Sequence, residues 1–209
     1  MILTAAAVGL HGMLRPVELL GSAHHRDRAL QLSDIVFYRD EARTRVMQLA
    51  ATLEDAGKKT PHHFTMRLGA TKADPLGANE PHPVAARTAV VALWRWMHLR
   101  RELRPPASVT AVFVNPKNWA PLPTTELVER LRHWGQLAGL RDFAFTGRSM
   151  RRGGAAAMMA NGASIPDIQA AGRWASAQMP ALYAGAAAMQ QRQLAITMAM
   201  ASAPPGAGR

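Results

Sequence analysis

The 209-residue chain contains no cysteine, so it forms no disulfide and offers no thiolate to a metal or a substrate, and it fits any redox compartment. Acidic residues are scarce. Only 14 Asp and Glu stand against 25 Lys and Arg, and the resulting formal net charge of +11 favours a polyanionic partner such as nucleic acid. On charge alone an RNA, an acidic protein or a membrane surface also fits, so the motifs have to decide between them. Long apolar runs are missing as well. The opening stretch Ile2 to Leu10 is too short to span a bilayer, and no Lys or Arg precedes it as a secretory leader requires. It reads as a buried helix, and an intracellular protein that uses no membrane is expected. With 48% hydrophobic residues and no long charge block, the chain is globular and large enough for one sizeable core.

Apolar periodicity and Gly/Pro punctuation divide the chain into elements. Met1 to Gly12 is helical in pattern, and Pro16 suits the first turn of a second helix, which puts Arg15 at a helix start. Ser33 to Tyr38 and His63 to Leu68 are rich in β-branched and aromatic residues and predict two strands. Between them, Ala42 to Ala56 reads as a helix or an insertion, and Gly69 to Gly77 as a turn that carries Lys72. Helices are predicted over Val84 to Leu103 and over Thr124 to Ala138, the latter with Thr124 and Thr125 as candidate caps. Two more follow, Ser149 to Asn161 stopped by Gly162, and Ile165 to Ala171 with Pro166 in its first turn. A last helix, from Gln178 to about Ala201, bears Tyr183, and residues 202–209 form a Pro/Gly tail expected to be disordered. The fold class is therefore α+β, mainly α-helical, with a small antiparallel sheet, in one domain over 1–201.

The most informative stretch is Thr146-Gly147-Arg148-Ser149-Met150-Arg151-Arg152-Gly153-Gly154, followed by Gly172-Arg173-Trp174 and then Tyr183. Trp174 follows Arg151 by 23 residues, and Tyr183 follows Trp174 by nine. Taken singly, these side chains read as surface arginines, a core tryptophan and a half-buried helix tyrosine. Together they resemble box II of the tyrosine recombinases, the family of phage integrases and the Cre and Xer proteins, which runs H-x-x-R, then H or W, then the nucleophilic Tyr. Upstream, Leu14-Arg15-Pro16-Val17-Glu18 resembles box I, an Arg followed three residues later by an acid. Lys72 resembles the family's hairpin lysine, with Lys58 and Lys59 as competitors for that place. The resemblance runs from about residue 2 to residue 190.

That resemblance implies a DNA breaking-rejoining catalytic core acting on double-stranded DNA in site-specific recombination or integration. Its residues fit the chemistry. Tyr183 supplies a phenol for in-line attack that conserves the bond energy in a 3′-phosphotyrosine, so no nucleotide cofactor is needed. Arg15 and Arg151 offer planar forks for the non-bridging oxygens, Lys72 a proton for the departing 5′ oxygen, and Trp174 its indole N–H. Arg152, Arg173 and Arg67 are expected on the DNA backbone. No metal site is expected, because the pairs His24-His25 and His62-His63 lack ligand spacing and acidic partners. Glu18 is expected to orient a neighbour. The Ala/Met-rich C-terminal helix is expected to dock on a second copy of the chain.

Two features depart from the family pattern. Arg148 stands where H-x-x-R has its histidine; it keeps a positive charge but cannot take the tyrosine proton. Arg15 also lies close to Met1, so the N-terminal DNA-clamping domain is expected to be absent. Rival readings are a catalytically impaired DNA-binding remnant of a mobile element, and a basic RNA-binding protein.

Overall fold

A computed structural model describes residues 1–21, 29–49, 53–68, 81–140 and 144–183. It divides into two compact units, Met1–Gly154 and Ala155–Arg209. The expected tail, most of the C-terminal helix, the His24-His25 pair and Lys72 lie outside the described residues.

In the first unit, α1 (Ile2–His11) and α2 (Pro16–Leu20) are joined by a tight turn. Leu14 N–H reaches the Gly9 carbonyl at 2.8 Å while Met13 takes a left-handed conformation with φ 48°, a helix stop usually filled by glycine. Next come β1 (Ile35–Tyr38), β2 (Val46–Met47), α3 (Leu53–Lys58), β3 (His63–Met66) and β4 (His82–Val84). The strands form one antiparallel sheet in the order β2-β1-β3-β4, with Phe37 opposite Phe64 and Tyr38 opposite His63. The sheet is wider than two strands, and the region from Ala42 to Ala56 supplies β2 and then the short α3. A two-residue strand has no period to read; its pairing with β1 defines it.

Helix α4 (Arg87–Glu102) covers the sheet. Trp94 sits edge-on to Phe37 at 4.9 Å, and its indole N–H donates to the Ala56 carbonyl at 3.0 Å, so a large apolar surface is buried with its one polar atom satisfied. Truncating such a core aromatic to alanine costs about 3–5 kcal/mol. Helix α5 (Thr124–Leu137) follows, then α6 (Ser149–Ala160). The residue capping α5 is Pro123, and no side chain caps it; Thr124 already lies inside the helix, so the expected threonine caps are not formed.

The described part of the second unit holds the end of α6, the left-handed stop at Gly162, and α7 (Ile165–Gly172). Ser164 accepts from the Asp167 N–H and Asp167 reaches back to Ser164, a reciprocal cap that, with Pro166 in the first turn, marks a helix start. Residues 178–183, up to Tyr183, are helical. Among the described residues no helix is long and apolar enough to cross a membrane.

Candidate active site

The first unit gathers Arg15, Glu18 and Arg151 through one buried carboxylate. Glu18 N–H donates to the Arg15 carbonyl at 2.9 Å, and Glu18 Oε2 accepts the Arg15 N–H at 2.6 Å, so an acid three residues after the arginine closes the first turn of α2. The same carboxylate receives Arg151 Nη2 at 2.8 Å on each oxygen, while Arg151 Nε donates to the Met13 carbonyl, also at 2.8 Å. Arg151 is 3% exposed, so this ion pair is formed away from water, where breaking it leaves a bare charge.

Two glycines permit the approach. A Cβ on Gly154 would collide with the Leu10 carbonyl oxygen and the Met13 side chain, and one on Gly153 would press on Leu10 at 3.0 Å. Without side chains there, the start of α6 comes close enough to the α1–α2 turn for Arg151 to reach both of its acceptors. Arg151 thereby holds the left-handed Met13, a conformation that costs an ordinary residue about 1–2 kcal/mol.

Beside this buried pair lies an open groove of about 830 Å³, lined by Arg15, Arg132, Arg148, Thr124, Thr125 and Glu129 among others. Arg148 is exposed in the turn that starts α6, where Ser149 Oγ accepts the Thr146 N–H at 2.9 Å and Thr146 Oγ1 accepts the Arg148 N–H at 3.2 Å. Among the described lining residues three guanidiniums thus stand with one carboxylate, a balance that favours an anion.

In the second unit, Trp174 follows the left-handed Arg173 (φ 54°) that ends α7. Its backbone is clamped twice by Gln169: Trp174 N–H donates to the Gln169 carbonyl, and Gln169 Nε2 donates to the Trp174 carbonyl, each at 3.1 Å. The indole lies over Gly172, whose place no residue with a Cβ could take without displacing the ring. Tyr183 meets that indole edge-on, with ring centroids 5.8 Å apart.

Among solved structures the chain is similar to the XerA recombinase, with 19% identity and a TM-score of 0.57 over 90% of this chain and 54% of that one. It is also similar to XerH site-specific recombinase in a pre-cleavage complex with its difH substrate, at 16% identity and a TM-score of 0.58 over 87% of this chain and 42% of that one. A post-cleavage XerH complex with a palindromic difH substrate matches at 16% identity and a TM-score of 0.58, over 92% and 44%. The chain has the fold of a Cre/Xer-like tyrosine recombinase catalytic domain. It spans about half the length of the recombinases it matches. No protein-family model and no curated protein matches the chain.

Against that fold, the residues singled out from the sequence fall into distinct settings. Arg15 and Arg148 line the groove, whereas Arg151 does not: it is buried beneath, on Glu18 and Met13. Glu18 orients its neighbours, as expected of it. Arg152 is exposed on α6, and Arg67 is exposed just after β3, where its N–H donates to the Asp34 carbonyl at 2.9 Å. His62 and His63 bring their Nδ1 atoms within 3.3 Å, and His63 stacks on Tyr38. No group of three or more metal-ligating side chains exists among the described residues. One groove cation, Arg132, carries no motif signal. The clue available in the sequence was spacing: Thr125, Val128, Glu129 and Arg132 share one face of α5, away from the buried Leu127.

Proposed function

We propose that the chain is the catalytic core of a site-specific DNA recombinase or integrase, working by transesterification at a phosphodiester of double-stranded DNA. The observation that carries this reading is the arginine-lined groove built on a recombinase fold. In the reaction, the Tyr183 oxygen forms a bond to phosphorus as the bond from phosphorus to the 5′ oxygen breaks, leaving a 3′-phosphotyrosine. The phenol gives up its proton to water or a nearby base, and Lys72 supplies one to the departing 5′ oxygen. Rejoining is the reverse attack by a 5′ hydroxyl, so neither a nucleotide nor a metal enters the balance.

Arg15 and Arg148 bind the non-bridging oxygens as negative charge builds on them. Arg151 supports that charge and, through Glu18, fixes the turn that presents Arg15. Trp174 packs against Tyr183 and offers an indole N–H. Arg152, Arg173 and Arg67 add contacts to the DNA backbone, and the C-terminal helix joins copies of the chain on DNA. The protein then works wherever DNA is held in the cell.

The test uses a nicked suicide duplex that traps the covalent complex. Wild-type protein is expected to form an adduct that Tyr183→Phe abolishes with DNA affinity nearly intact, since the substitution removes the attacking atom and not the cationic groove. Arg148→His is expected to raise the cleavage rate, because imidazole accepts the phenol proton, a step worth about 10²–10⁴-fold for a positioned base. Absence of an adduct from both wild type and Arg148→His would leave a DNA-binding remnant. An adduct on Tyr183→Phe would move the nucleophile elsewhere, with Tyr38 the only other tyrosine.

A further inference from the structure

We propose that Arg132 is a third phosphate-binding cation of the groove, aimed by a backbone carbonyl; the proposal rests on reading the groove as a DNA site. Arg132 Nε donates to the Phe145 carbonyl at 3.0 Å, which fixes the plane of the guanidinium. Its two Nη groups have no partner among the described residues, and they belong to a side chain that lines the groove with Arg15 and Arg148. Glu129 is the only carboxylate among the described lining residues, against three guanidiniums there.

The local fold builds this arrangement. One turn beyond Arg132 on α5 stands Gly135, where any Cβ would run into the Phe145 ring. The glycine lets the segment leading into α6 lie against α5, and this brings the Phe145 carbonyl within reach of Arg132. A guanidinium held by Nε alone keeps both Nη groups for a bidentate bond to a phosphate, which a lysine ammonium cannot reproduce. Three cations lining one open wall repel one another until an anion enters, and a DNA phosphate is the anion the proposed reaction brings. The same carbonyl precedes Thr146 and Arg148, so Arg132 also ties the two groove walls at the start of α6.

The experiment is a titration of the full chain with a labelled mixed-sequence duplex between about 50 and 200 mM salt, where the slope of log affinity against log salt counts phosphates neutralised, about 0.9 per contact. Arg132→Gln and Arg132→Met are each expected to lower the slope by about one contact, and Arg132→Lys to keep it. On the suicide substrate, Arg132→Lys is expected to cleave more slowly than wild type, because charge alone does not restore the anchored fork. Two neutral variants guard against one that fails to fold, with circular dichroism confirming that the protein compared is native. An unchanged slope in a folded Gln or Met variant, with a steep wild-type slope, overturns the proposal and leaves the recombinase reading standing. A flat wild-type slope overturns both.

Discussion

Arg151 holds the turn that presents Arg15 without itself lining the groove. Its guanidinium is committed to Glu18 and Met13, and the carboxylate it binds also closes the turn that carries Arg15. Removing either partner strands a charge that has no water around it, so Arg151→Met or Glu18→Met is expected to destabilise the fold by about 3–5 kcal/mol. Replacing both by methionine is expected to cost far less than the two single changes together, because no bare charge remains. Urea denaturation of the four proteins measures the cycle, and single variants as stable as wild type would refute the buried pair. Part of this was legible in the sequence: an acid three residues after Arg15 is a capping spacing. The pairing of Glu18 with Arg151, across 133 residues, was not, because no local rule spans that distance.

Strand β3 is where element and solvent conditions meet. All four of its residues are buried, including His63, which is 5% exposed and stacked on Tyr38 of β1 at 5.0 Å. Burial holds the His63 pKa below the ordinary imidazole value; Arg43 and His62 push it further down, while Asp40 and Glu41 pull the other way. Above about pH 7 the ring is neutral in folded and unfolded chains alike, and it adds nothing to the pH dependence. Below the ordinary value the unfolded chain takes up a proton that the folded ring resists, so stability falls as pH drops. Urea denaturation at about pH 7 and pH 5 should therefore show a smaller acid loss in His63→Phe than in wild type. Equal losses would mean that His63 is protonated as easily in the sheet as in water. At this scale α1, α4, α5, α6 and α7 were readable to within a few residues, since an apolar stripe with Pro and Gly at its ends needs no partner to be recognised, whereas α3 was not, lying at the end of a stretch read as a helix or an insertion. Strands β2 and β4 were not, because two or three residues become a strand only when a neighbour pairs with them.

Across the whole molecule the excess of basic over acidic residues and the open arginine groove point to the same partner. Duplex affinity is expected to fall steeply with salt, by about 10³–10⁵ between about 50 and 200 mM if six to ten phosphates are contacted. Anisotropy titrations check this, and an affinity indifferent to salt would favour a protein partner. The order of residue types along the chain, Arg15 with Glu18, then Arg148, Arg151, Trp174 and Tyr183, was enough to indicate the fold through its resemblance to a known family, because motif spacing is a linear property. Helices followed from the same linear information, through period and punctuation. Which arginines face the groove and which lies beneath it did not, since burial depends on what packs alongside. Gly154 against Leu10 and Gly135 against Phe145 are close approaches between segments distant in sequence. They send Arg151 inward to Glu18 and leave Arg132, a residue without a motif, anchored at the groove wall.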